Sequence, residues 1–142
     1  MPKLGLGLSL PQTLKVGAPV ITTSRAFNSS GVQVGSTNTG SIPTYWMQNQ
    51  STITSVIFAN DNSVTSFGNG AFQGCTSLTS VTIPNSVTSF QNNVFATTGL
   101  TSITIPNSVT NLGQAAFYNC TALTSITFTP TSSVTTIGNY TF

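Results

Sequence analysis

Two thiols, Cys75 and Cys120, and one carboxylate side chain, Asp61, are the groups in this chain with the intrinsic chemistry for nucleophilic attack or metal ligation. A cysteine does either as its thiolate, which needs a histidine, a cation or a metal beside it to form at neutral pH. The chain has no histidine and no glutamate, and its basic residues are Lys3, Lys15 and Arg25. From residue 62 to residue 142 there is no charged side chain at all. No base is present to activate a serine or a thiol, no second carboxylate can share acid-base work, and no ligand set for zinc can be assembled. Composition therefore points away from an enzyme, a metal site or any other cofactor, and towards a function carried by shape and surface.

The same composition bounds the partners. With 142 residues, 38% of them hydrophobic and 9% aromatic, the chain can bury one core and is not of the disordered class. Its formal charge of +2 comes from dispersed residues, so the basic patch that nucleic acid or an anionic membrane requires is missing. No apolar run approaches the roughly 20 residues of a membrane span. We therefore expect no nucleic-acid partner and no membrane insertion.

Leu4, Leu6, Leu8 and Leu10 alternate with Gly5, Gly7 and Ser9, the period of a strand with one apolar face. That run is too short, too interrupted by glycine and too soon closed by Pro11 for a secretory signal. Its apolar face packs either on its own domain or into a neighbouring subunit. From 15 to 44 short apolar pairs lie between glycine, serine and asparagine clusters, which predicts brief strands near 20–23 and 31–34 joined by turns. Residues 1–46 thus read as an extended N-terminal arm.

The rest is a repeat. Leu78-Thr79-Ser80-Val81-Thr82-Ile83-Pro84-Asn85-Ser86-Val87-Thr88 returns 22 residues later as Leu100-Thr101-Ser102-Ile103-Thr104-Ile105-Pro106-Asn107-Ser108-Val109-Thr110. Leu123-Thr124-Ser125-Ile126-Thr127-Phe128 is a further copy, and Ile53-Thr54-Ser55-Val56-Ile57-Phe58 an earlier, worn one. Behind each copy comes an apolar pair in register (Val64 and Phe67, Val87 and Phe90, Val109 and Leu112, Val134 and Ile137), then an aromatic column of Phe72, Phe95, Phe117 and Phe142 with Met47 ahead of it. One strand per unit of this length is the signature of a solenoid whose units bury their apolar positions only by stacking. Strand alternation then turns Ser80, Thr82, Ser102, Thr104, Ser125 and Thr127 outwards, and Pro84, Pro106 and Pro130 end the strands because proline cannot donate to a ladder.

The pattern Ala-Phe-x-x-Cys-Thr-x-Leu-Thr-Ser-Val/Ile-Thr-Ile-Pro-Asn-Ser-Val-Thr, carried by 71–88 and 116–128, resembles the BspA-type (Treponema-type) leucine-rich repeat. The resemblance covers residues 47–142 and implies a mostly β, right-handed leucine-rich-repeat solenoid with a parallel sheet on one face and little helix. Members of that family are often bacterial or protist surface proteins involved in adhesion, and similar repeats occur in phage genomes. The opening Lys3-Leu4-Gly5-Leu6-Gly7-Leu8-Ser9-Leu10 weakly resembles the start of some phage structural proteins.

Cys75 and Cys120 hold one repeat position two units apart, with Thr98 or Gly99 between them; at about 4.8 Å per strand that is some 10 Å, out of disulfide range. The outward hydroxyl columns are either a solvated face or a neutral surface for a protein, a glycan or a flat crystal such as ice. Phe142 falls in the aromatic column itself, and with Leu4, Leu6, Leu8 and Leu10 it is a candidate contact to other subunits. These features lead to the expectation of a virion structural protein, capsid-decorating or tail-associated, whose arm meets other virion proteins or further copies of itself. The alternative is a bacterial surface adhesin or receptor-binding module, extracellular or cell-surface, that meets a host protein or glycan.

Overall fold

The computed structural model describes residues 24–37, 41–58 and 62–142, with the backbone alone described in 34–37. Leu4, Leu6, Leu8 and Leu10, and the strand expected at 20–23, lie outside the described residues. Among those described there is no helix. The chain winds in coils of 22–25 residues, and each coil lies on the next with its apolar columns in register.

β1 (Ser24–Asn28), β2 (Gln33–Thr37) and β3 (Ile53–Ile57) form an antiparallel sheet in the order β2-β1-β3. The expected strand near 31–34 starts later because the turn before it is fixed locally. Asn28 Oδ1 accepts the Ser30 and Val32 N–H groups, each at 3.0 Å, and Gly31 takes a φ of 72°, which glycine adopts without steric penalty. β1 pairs along β3, from Arg25 opposite Ile57 to Asn28 opposite Ile53. It therefore covers an edge that would otherwise be open for pairing.

On one side of the solenoid, β6 (Ser102–Ile105) pairs in parallel with β8 (Ser125–Phe128). The copy at 79–83, expected as a strand, is not one: it runs beside β6 with the Thr101 N–H, just ahead of β6, donating to the Thr79 carbonyl at 3.1 Å, but without ladder pairing to β6. The return segments, expected only to close the core, make a second parallel ladder. It joins β4 (Ser66–Phe67), β5 (Ser89–Phe90), β7 (Asn111–Leu112) and β9 (Thr136–Ile137) in that order, and Ile42 bridges to Phe67 ahead of it.

Between the ladders lies the core. Leu78 and Leu100 are fully buried with Ile53 in one column, and Leu123 packs half-buried against it. Phe72, Phe95, Phe117 and Phe142 stack at 5.3, 5.8 and 5.9 Å between ring centroids, with planes within 8° of parallel. Phe67 and Phe90 stack beside them at 5.2 Å. Each large side chain buried this way contributes roughly 1.5–3 kcal/mol, opposed by the conformational entropy of ordering the coil.

A third ladder runs along the edge turns that carry these rings. Phe72 N–H donates to Val94 O and Phe95 N–H to Ala116 O, both at 2.9 Å, and Phe117 N–H donates to Thr141 O at 2.8 Å. Forming it requires left-handed backbone on both sides of the aromatic. Tyr45, Gly70, Asn93, Ala115 and Tyr140 hold one such column, with φ of 54–58°, and Asn49, Gly74, Thr97 and Asn119 hold the other. Glycine meets this demand freely and asparagine tolerates it, whereas other L-residues incur about 1–2 kcal/mol each.

Candidate functional site

The face built by the two-stranded sheet of β6 and β8 and the adjoining segment 79–83 is chemically uniform. Ser80, Thr82, Ser102, Thr104, Ser125 and Thr127 are all exposed, while Ile103 and Ile105 of the same strand are buried. Ser102 sits directly opposite Ser125, and Thr104 opposite Thr127, so hydroxyls run in rows at the strand spacing of about 4.8 Å. No charged side chain occurs anywhere from 62 to 142. The face thus offers neutral donors and acceptors and little else.

At one edge of this face is a recess of about 270 Å³, where Thr82 and Thr104 meet Asn85, Pro106 and Thr129. Thr129 Oγ1 is buried there with no hydrogen-bond partner among the described residues. An unsatisfied buried hydroxyl of this kind costs about 1–3 kcal/mol.

Other threonines of the repeat are already engaged. Thr88, Thr110 and Thr135 each donate Oγ1–H at 3.2 Å to the carbonyl of the equivalent residue one coil earlier, beginning at Thr65. On the sheet side Thr101 donates to Thr79 O at 3.3 Å and Thr124 to Thr101 O at 3.0 Å. These hydroxyls staple coils together and are not free for a partner. The signal was the threonine that follows Val or Leu in every unit, which by residue type alone is indistinguishable from the outward column.

The thiols are structural. Cys75 and Cys120 are both free, and each donates Sγ–H to a carbonyl of the preceding coil, Met47 O at 3.0 Å and Phe95 O at 2.9 Å. Thr98 takes the position between them, its Oγ1 donating to Phe95 O at 2.9 Å and lying 3.3 Å from Cys120 Sγ. Burial pushes the Cys75 thiol up to about 12, only partly offset by a backbone hydrogen bond at Gln50, so it is protonated and inert at neutral pH. Among the described residues no three His, Cys, Asp or Glu side chains cluster as metal ligands, and no helix is long and apolar enough to cross a membrane.

Phe142 stacks on Phe117 yet is 60% exposed. With Cys120, Leu123 and Ile126 these two rings line an open cavity of about 550 Å³ at the last coil of the chain.

The sequence model described as "BspA type Leucine rich repeat region" matches residues 40–142 in six copies. None of the curated proteins matches. Among solved structures, a leucine-rich cell-surface protein of Faecalibacterium prausnitzii is 46% identical, covering 49% of this chain and 18% of its own, at a TM-score of 0.47. A leucine-rich-repeat protein of Bacteroides ovatus is 22% identical over 69% of this chain and 31% of its own, with a TM-score of 0.51, a likeness of fold. A leucine-rich-repeat protein of T. pallidum is 16% identical over 69% of this chain and 66% of its own, with a TM-score of 0.45. The chain thus spans less than two thirds of the length of each.

Proposed function

Since the chain belongs to the BspA-type leucine-rich-repeat family, we propose that it is a non-enzymatic recognition module that docks a partner protein on the hydroxyl face of its sheet. The observation that carries this reading is the continuity of that face. Six exposed hydroxyls stand on it without charge, four of them in strand register as Ser102 with Ser125 and Thr104 with Thr127, and at its edge Thr82, Thr104 and Thr129 line a recess. Each neutral hydrogen bond formed on such a face contributes about 0.5–1.5 kcal/mol net, so affinity accumulates over rows and not at a single anchor. Without charges the association is insensitive to salt.

A surface role, adhesive or receptor-binding, uses these features directly. A virion subunit would instead depend on Leu4, Leu6, Leu8 and Leu10, which lie outside the described residues, so the observations on the sheet favour recognition.

The test is an array of purified cell-surface and extracellular-matrix proteins probed with the full chain and with a Ser102→Arg, Thr104→Arg double variant. Both positions are exposed, so the variant keeps its fold while bulk and charge interrupt the rows. Binding to an arrayed protein that persists at high salt and disappears in the variant supports the proposal. Equal binding by the two chains, or binding to none of the arrayed proteins, refutes it.

A further inference from the structure

Away from the sheet, one edge turn gathers an aromatic ring and three carboxamides on an uncharged surface. Tyr45 occupies the left-handed conformation, φ 54°, in the column where the next coil has Gly70. Bulky residues rarely adopt this backbone, and strain of this kind concentrates at sites of function. The turn itself does not require tyrosine, since glycine, asparagine and alanine serve in the same column at 70, 93 and 115, although a second tyrosine, Tyr140, also occupies it. What position 45 gains is a ring that is 56% exposed and rests one edge on Gly70. A Cβ at residue 70 would lie 2.7 Å from both Cδ1 and Cε1 of Tyr45 and 3.0 Å from Gln73 Oε1.

The amides converge on the same place. Gln48 Nε2 donates to Gln73 Oε1 at 2.9 Å, and the Asn49 side chain lies against Gly74, where a Cβ would collide with Asn49 Oδ1. Tyr45, Gln48, Asn49 and Gln73 therefore form one cluster across two stacked turns. Gly70 and Gly74 make room for it, and later turns have Asn93, Thr97, Ala115 and Asn119 in their place. The bond between Gln48 and Gln73 uses one donor and one acceptor, so the pair still has N–H groups and a carbonyl oxygen left to bond a ligand.

We propose that this turn is a binding site for a neutral saccharide, with the Tyr45 ring as stacking platform and the amides of Gln48, Asn49 and Gln73 as partners for its hydroxyls. A pyranose presents an apolar C–H face and a rim of groups that both donate and accept. An exposed aromatic covers the first, and carboxamides, carrying donor and acceptor together, match the second. Arg25 on β1 is the one charged side chain among the described residues, so nothing in the cluster selects an anionic sugar. This site is separate from the sheet face, and neither reading rests on the other.

Titrating the full chain with cellohexaose and with maltohexaose tests the proposal, followed by calorimetry and by the fluorescence of Trp46, the single tryptophan and the neighbour of Tyr45 in the chain. Saturable binding of at least one hexasaccharide is expected. Tyr45→Gly, a residue suited to the turn, and Gln73→Ala should each weaken it roughly tenfold or more, the loss of an aromatic or polar contact. Tyr118→Ala, which removes another exposed tyrosine, and the Ser102→Arg, Thr104→Arg variant should leave it unchanged. Failure of the wild-type chain to bind either sugar overturns the proposal, as does unaltered affinity in Tyr45→Gly with its circular dichroism intact. Loss of sugar binding in the sheet variant alone would place the saccharide elsewhere and overturn it too.

Discussion

Truncating Phe95 to alanine should be among the most destabilising single changes in the chain, and truncating Phe142 in the same column among the milder ones. Phe95 is fully buried. Its ring is parallel to Phe72 at 5.3 Å and to Phe117 at 5.8 Å, and meets Phe67 and Phe90 edge-on at 5.8 and 5.7 Å. A buried Phe→Ala change costs about 3–5 kcal/mol, and aromatic pairs add about 0.5–1.5 kcal/mol beyond area. The site also cannot collapse, because Phe72 N–H to Val94 O and Phe95 N–H to Ala116 O hold the neighbouring turns at fixed spacing. We expect the upper end of that range, about 4–5 kcal/mol. Phe142 has one ring partner, at 5.9 Å, and is 60% exposed, which limits its loss to about 1 kcal/mol. Urea unfolding followed by circular dichroism measures both as shifts of midpoint at constant slope. A loss at Phe95 below about 2 kcal/mol, or one no larger than at Phe142, would refute the stacked-ring account of the core.

Gly99→Ala drives a Cβ into the Thr76 carbonyl oxygen of the preceding coil, so the same assay should show a loss of about 1–3 kcal/mol; a neutral result would mean the coils are not held that closely. Thr110→Val removes the hydroxyl bond to Thr88 O at 3.2 Å and should lower stability by about 0.5–1.5 kcal/mol, read from thermal unfolding. Cys75 in the native chain should resist iodoacetamide while Cys120, half-buried, is alkylated first, and both should be modified once the chain is denatured without reductant; mass spectrometry follows the order. With the Cys75 thiol at about 12 in the fold against 9.0 ordinarily, its contribution to stability is complete below pH 9.0 and is lost as pH rises towards about 12, so Cys75→Ala should flatten that alkaline decline.

The columns that could be read from sequence are those that every unit must repeat. Leu78 and Leu100, and Phe72, Phe95 and Phe117, are buried where their register places them, because a coil this short can bury only what its neighbours also bury. Ser102, Thr104, Ser125 and Thr127 face solvent because strand alternation leaves no other choice, and Ser80 and Thr82, whose segment forms no strand, are exposed in the same columns. What escaped reading depends on distant partners or on very short elements. β1 contributes Ser24 and Ala26 to the interior, too little apolar character to announce a strand. Its pairing with β3 spans a connection no periodicity reports. β4, β5, β7 and β9 have two residues each, fewer than any alternation needs to be visible.

The threonine staples and the Tyr45 cluster were hidden for opposite reasons. Thr65, Thr88, Thr110 and Thr135 obey the repeat so faithfully that their hydrogen-bonded role looks the same as solvation. Tyr45 shares its column with Tyr140, and what sets it apart, the Gly70 beneath its ring and the Gln48–Gln73 pair beside it, shows only in the fold. A solenoid's consensus encodes how coils stack, since each position is answerable to the same position one coil away. Chemistry specific to one place on such a surface must therefore come from residues that break the consensus at tolerable cost. Tyrosine on a left-handed backbone, set over a glycine that later coils lack, is a break of that kind.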